Sequence, residues 1–219
     1  MSTEVKIVAG VSIVTLILVI GAAYLFGGTS AANPQNAKPV SDMKALVRKN
    51  SHEINAHSKV TLVEFGDFEC PACGAEYPVV TQLLKDYKGK INFVFRNFPL
   101  PMHPNALPAA EAAEAAGAQG NFFGMYNLLY SNQNTWGGST NPMPYFIQYA
   151  KTLHLNISRF TSDVTNKKYA ARIQKDINDG YALGVDATPT FFLNGVPIQG
   201  VLPYSNFKTD INQALKSAK

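Results

Sequence analysis

Cysteine is nearly absent from this chain of 219 residues, with two copies, Cys70 and Cys73. A framework of structural disulfides needs more cysteines at wider spacings, so that class is excluded. A bridge between these two would close too small a loop to restrain the unfolded chain much. A redox-active pair is the better reading. Zinc wants four ligands, and here too the sequence falls short. There is no second CxxC, and His52, His57, His103 and His154 show no HxxxH spacing. Neither a metal nor a cofactor is expected. Charge is also sparse at 16%, and Lys and Arg are scattered without a block of one sign. The net charge of +4 therefore gives nucleic-acid binding no support.

Hydrophobic residues are plentiful at 46%, which suits a packed domain rather than a disordered chain. Residues Ile7 to Phe26 form an uncharged apolar run. In a helix such a run spans roughly 30 Å, the thickness of a hydrocarbon core. A cleaved signal peptide has a shorter apolar region of about 7–15 residues, and Ser30-Ala31-Ala32 is where cleavage would fall. The run is read as a retained transmembrane anchor over residues 7–26, with 1–6 cytoplasmic. Lys6 and the amino terminus precede it, whereas the next basic residue is Lys38, so the N-terminus is placed inside. The expected localisation is the cell membrane, single-pass, with the remainder extracytoplasmic, where disulfides persist. Residues 27–52 read as a linker rich in Gly, Pro, Ala and Asn, with a short helix starting at a Ser41 cap.

Residues 53–219 carry the periodic patterns of a domain. Val60 to Phe68 is a buried strand by its β-branched and aromatic content. Pro71 opens a helix to about Tyr87, Gly89 ends it, and Ile91 to Phe98 is a second strand. This is a βαβ unit with a right-handed crossover. From about 102 to 184 the chain is mainly helical, with helices over Ala109–Ala118, Phe122–Tyr130, Tyr145–Leu153 and Lys167–Leu183 and a loop over Asn132–Pro144. The strand Thr190–Leu193, the turn Asn194-Gly195 and a partner strand from Val196 make a hairpin. A helix over Ser205–Ala218 closes the chain. The class is α/β, a βαβ–ββα core with a helical insertion.

The motif Cys70-Pro71-Ala72-Cys73 lies where a strand gives way to a helix. Thiolate is the nucleophile in disulfide exchange, and a helix start stabilises it through unpaired N–H groups and the helix dipole. The i, i+3 spacing puts the second sulfur on the same face. Cys70 would attack and Cys73 would resolve.

Three separated motifs, in order, then resemble one family. They are Val63-Glu-Phe-Gly-Asp-Phe-Glu-Cys-Pro-Ala-Cys, Phe98-Pro-Leu with His103-Pro and the alanine-rich helix ending at Gln119-Gly-Asn-Phe-Phe, and Thr188-Pro189-Thr-Phe-Phe-Leu-Asn-Gly. Together they resemble the DsbA-like thiol–disulfide oxidoreductases of thioredoxin fold, over roughly Lys59 to Lys219. The resemblance implies a thioredoxin core with an inserted helical domain. It implies a cis Thr188–Pro189 bond against the CxxC, and a Thr188 backbone that pairs with an extended substrate. Glu64 would be the buried acid that moves the Cys73 proton. Asp67 and Glu69 are expected in the exposed approach to Cys70, His103 as a structural residue, and Trp136 either lining a substrate groove or capping the helical domain. Ala72 replaces a histidine found in strong oxidants, so a weaker oxidant is expected. The implied partners are cysteine-containing exported proteins and a membrane redox partner that resets the pair. The expected activity is disulfide donation. A reductase or isomerase, a peptide-binding holdase and a metal chaperone remain alternatives.

Overall fold

The computed structural model describes residues 38–198 and 201–218. The run 7–26 read as an anchor lies outside the described residues. The described chain opens on Lys38 and a short 3-10 turn, Met43–Ala45, where the Asp42 side chain accepts from Lys44 N. It continues as β1 (His52–Ile54), β2 (Val60–Gly66), α1 (Pro71–Asp86) and β3 (Ile91–Asn97). Six helices follow: α2 (Ala106–Gly117), α3 (Phe122–Ser131), α4 (Gln133–Trp136), α5 (Met143–Thr152), α6 (Ile157–Thr165) and α7 (Ala170–Ala182). The chain then returns to the sheet as β4 (Thr190–Leu193) and β5 (Val196–Ile198), and ends in α8 (Tyr204–Ser217).

The sheet order is β1-β3-β2-β4-β5. β2 is central, parallel to β3 from Val60↔Ile91 to Gly66↔Asn97 and antiparallel to β4 from Leu62↔Leu193 to Phe65↔Thr190. Because side chains alternate along a strand, Leu62 and Glu64 of β2 face one side, and Val63 and Phe65 the other. The first side packs Leu62, Phe93, Phe95 and Phe191 against α1, α2, α3 and α8. The second packs Val63, Phe65, Val94 and Phe192 with Leu46 and Val185. Burial on both faces explains the near-continuous apolar strands. The hairpin turn at Asn194-Gly195 takes positive φ at both residues, 48° and 84°, which that dipeptide tolerates.

Several expectations are corrected. The helix expected from Ser41 shrinks to the 3-10 turn, capped by Asp42. The segment read as linker does not run free over 38–52: Leu46 is fully buried, Val40 N donates to Gly195 O at 2.8 Å, and His52–Ile54 pairs with β3. β1 is three half-buried residues, too short to leave a period. α4 occupies part of the expected loop. α6 has no counterpart among the expected helices: it is short and polar on one face, and starts at an Asn156 cap that accepts from Arg159 N at 2.9 Å. α7 begins later than expected, at Ala170.

One buried charge ties the layers together. Arg96 of β3 donates to Asp176 at 2.7 Å, to Asp179 at 2.6 Å and to the Leu46 carbonyl at 2.7 Å. Removing one side of a buried pair leaves uncompensated charge. Arg96→Met is therefore expected to cost about 3–5 kcal/mol in urea unfolding, and the double variant Arg96→Met/Asp176→Leu to recover part of that loss.

Candidate active site

Strand β2 ends at Gly66, and a three-residue turn delivers Cys70 to the start of α1. A residue before proline is pushed to extended geometry, and Cys70 sits at φ −65°, ψ 122° as the N-cap. Pro71 fills the first helical position, where its missing N–H costs nothing. Cys73 follows in the first turn. Both thiols are free and buried. The β2–β4 register, ending at Phe65↔Thr190, places the loop before β4 beside the end of β2. There the Thr188–Pro189 peptide is cis, and the Cys70 thiol donates to the Thr188 carbonyl at 3.4 Å. Cys70, Cys73, Thr188 and Pro189 are thus gathered at one point.

The two thiols are electrostatically unlike. Cys70 is brought down to about 6, chiefly by the hydrogen bond from the Cys73 thiol. The N–H groups of Cys73 and Ala72 add to this, and burial opposes it. The helix start therefore helps, but the neighbouring thiol does more. Cys73 is raised well above the ordinary thiol range by burial, by its bond to Cys70 and by the charges of Cys70 and Glu64.

Glu64 is 1% exposed, on the same face of β2 as α1. Tyr126 Oη donates to its Oε2 at 3.3 Å. Burial pushes the carboxyl up to about 8, and the charges of Glu76 and Cys70 push the same way. A Cβ at Gly66 would press on the Phe95 ring and on Glu64 Oε1, so the glycine leaves room for the acid.

Sequence reasoning missed Glu76. It lies on the core stripe of α1 with Cys73, Val80 and Leu83 and is 1% exposed. Its Oε1 has no hydrogen-bond partner, and burial raises it to about 7. The available signal was its i+3 spacing from Cys73, but a helical glutamate is ordinarily solvated.

The expectation for Asp67 and Glu69 is corrected: they are 1% and 8% exposed. Asp67 accepts from Glu69 N at 2.8 Å, from Leu100 N at 2.9 Å and pairs with His103 Nδ1 at 2.7 Å. Glu69 accepts from Asn105 N at 2.5 Å. Both brace the approach turn instead of lining it. The Asp-x-Glu spacing, an Asx-turn pattern, was the signal for this. Trp136 is in the core, its indole donating to the Leu129 carbonyl at 2.8 Å. Among the described residues, no group of three or more His, Cys, Asp or Glu side chains could hold a metal ion.

A parallel βαβ unit with a CxxC at the helix start, facing a cis-proline loop, defines a thioredoxin-fold protein with a dithiol site. A family model described as Thioredoxin matches residues 52–213, and the chain belongs to that family. DsbA proteins share this fold. Wolbachia pipientis alpha-DsbA1 is 21% identical with a TM-score of 0.71, covering 79% of this chain and 94% of that one. BdbD from Bacillus subtilis, oxidised, is 23% identical with a TM-score of 0.70, covering 83% and 97%.

Curated relatives by sequence carry a different name. A Na(+)/H(+) antiporter NhaA 1 of Salinispora arenicola is 44% identical over 137 residues, 62% of this chain and 20% of the antiporter. An antiporter NhaA 3 of Salinispora tropica is 38% identical over 161 residues, 73% of this chain and 24% of the antiporter. The chain thus spans only a fifth to a quarter of these relatives. The expected single-pass membrane localisation is corrected on this ground. The relatives matched are named as antiporters rather than single-span anchored enzymes.

The buried acid has a stability signature. Between about pH 4.5 and 8, folded Glu64 holds a proton that the unfolded chain has released. Its contribution therefore falls as pH rises through that window and levels off above it. Cys70 acts oppositely, with the reduced form gaining stability between about pH 6 and 9. Glu64→Gln is expected to remove the Glu64 share of the fall, leaving that of Glu76, which burial also raises. Urea unfolding of the reduced variant from pH 5 to 8 should then rise relative to wild type by a few kcal/mol, at ~1.4 kcal/mol for each pH unit separating folded and unfolded titration. An unchanged profile would place Glu64 in contact with water.

Proposed function

We propose that the protein is a thiol–disulfide oxidoreductase that donates disulfides to cysteine-containing proteins. The observation that carries this reading is the placement of Cys70 at the start of α1 against the cis Thr188–Pro189 loop, with Cys73 buried one turn on, an arrangement that lowers the first thiol to about 6 and raises the second.

In the oxidised form Cys70 and Cys73 share the disulfide. A substrate thiolate attacks the Cys70 sulfur, the sulfur–sulfur bond breaks, and Cys73 departs and takes up a proton. Glu64, buried and still protonated at neutral pH, is the nearby source of that proton. A second substrate thiolate then attacks its own sulfur in the mixed disulfide and expels Cys70. The substrate dithiol is oxidised by two electrons and the active-site pair is reduced. A low-pKa thiol leaves faster, so the depressed Cys70 favours donation. Thr188 and Pro189 would hold the substrate backbone as an added strand beside Cys70. A redox partner that accepts the two electrons must reset the pair.

A titration near 6 is depressed less than that of the most oxidising relatives of this fold, at about 3.5. That agrees with Ala72 standing where a histidine would add stabilisation.

Cys70→Ser is expected to abolish insulin reduction and disulfide donation. Cys73→Ala should accumulate mixed disulfides with substrates and redox partner, readable by mass spectrometry. Full donation by Cys70→Ser would refute the oxidoreductase reading, and retention of peptide binding alone would turn it toward a holdase. Failure of Cys73→Ala to trap anything would remove Cys73 from the resolving role.

A further inference from the structure

The peptide joining Cys70 to Pro71 has no N–H, so its carbonyl is the one hydrogen-bonding group by which that link can be held. Gly74 N donates to it at 3.0 Å, as the first-turn bond of α1. A second donor comes from the helical insertion. Gln133 at the start of α4 donates through Nε2 to the Cys70 carbonyl at 2.9 Å and to the Phe68 carbonyl at 2.8 Å. An amide nitrogen carries two hydrogens, so both are used. A Cβ on Gly74 would collide with this amide, so the bare backbone after Cys73 is what admits it.

Gln133 is itself held. Trp136, three residues on, is fully buried, bonded to the Leu129 carbonyl and set edge-on to Phe146 at 5.3 Å. Asn105 donates through Nδ2 to the carbonyls of Gly137 at 3.1 Å and Ser139 at 2.9 Å, while its backbone N–H binds Glu69. The approach turn and the α4 turn are therefore tied at two points, Glu69–Asn105 and Phe68/Cys70–Gln133.

We infer that Gln133 is a positioning residue for the nucleophile, fixing the Cys70 backbone so that its sulfur faces the Cys73 thiol and the first-turn N–H groups. Hydrogen bonds weaken steeply with misalignment, so a small rotation about the Cys70–Pro71 link would weaken every bond to that sulfur together. The inserted helices thereby set the reactivity of a thiol carried by the sheet. This rests on the reading of Cys70 as the attacking thiol.

The test is the pH dependence of alkylation of Cys70 by iodoacetamide, on the reduced full chain, with thermal unfolding of each variant alongside. Wild type is expected to show a midpoint near 6. Gln133→Leu, which keeps bulk but no donor, is expected to raise the midpoint by about half a pH unit or more, roughly threefold slower alkylation below it. Gln133→Asn keeps the amide on a shorter arm and should fall between. A Gln133→Leu midpoint equal to wild type, even with lowered thermal stability, would reduce Gln133 to a structural residue and overturn the inference. If Gln133→Leu does not fold, Gln133→Asn decides by the same criterion. A wild-type midpoint near that of free cysteine would instead sink the oxidoreductase reading, and this inference with it.

Discussion

The electrostatic coupling of the two thiols across a single helical turn is the interaction on which the site depends. It requires one sulfur charged and the other protonated, so it lowers Cys70 and raises Cys73 together. Burial then widens the gap, because Cys73 is further from water and pays the larger desolvation. Two chemically identical side chains become a good leaving group and a protected, protonated partner. The N–H groups of Ala72 and Cys73 reinforce this but do not lead it.

The rest of the fold holds that geometry. The central position of β2 gives it two roles, delivering Cys70 at its end and carrying Glu64 on the face toward α1. Its antiparallel pairing with β4 brings the Thr188 carbonyl to the Cys70 sulfur. From the other side, the insertion contributes Tyr126 on Glu64, His103 on Asp67, Asn105 on Glu69 and Gln133 on the Cys70 carbonyl. Four carboxyls, Glu64, Asp67, Glu69 and Glu76, are buried close to the pair. Those of Asp67 and Glu69 are satisfied by N–H donors, whereas Glu76 has an unpartnered oxygen and Glu64 a single phenol. Asp67 and Glu69 brace the turn; burial keeps Glu64 and Glu76 protonated into the neutral range and raises Glu69 as well, against its bond from Asn105.

The sequence made the core legible because its signals are local. The apolar strands, Pro71 after a cysteine, Asn194-Gly195 between two short strands and Thr188-Pro189 before one each name their structure within a few residues. Position in space was not legible. Asp67 and Glu69 read as solvated because charged residues near a loop usually are, and apart from the local Glu69 N–H on Asp67 their donors arrive from 33 to 36 residues away. Gln133 gave no pattern, since it owes its role to carbonyls of another element, and the i+3 spacing of Glu76 from Cys73 is outweighed by the usual solvation of a helical glutamate. β1, α4 and α6 have no counterpart in the sequence pattern for the opposite reason, being too short or too polar to carry a period. The DsbA-like resemblance supplied the cis peptide, which residue patterns alone left open.

The most direct measurement is a pH titration of thiolate absorbance on the reduced chain and on its Cys73→Ala variant. The account predicts one thiolate appearing near 6 in the wild type, the second far above it, and a Cys70 midpoint at least about one unit higher once Cys73 is gone. An identical Cys70 midpoint with and without Cys73 would contradict it, leaving the helix start alone as the source of whatever acidity remains.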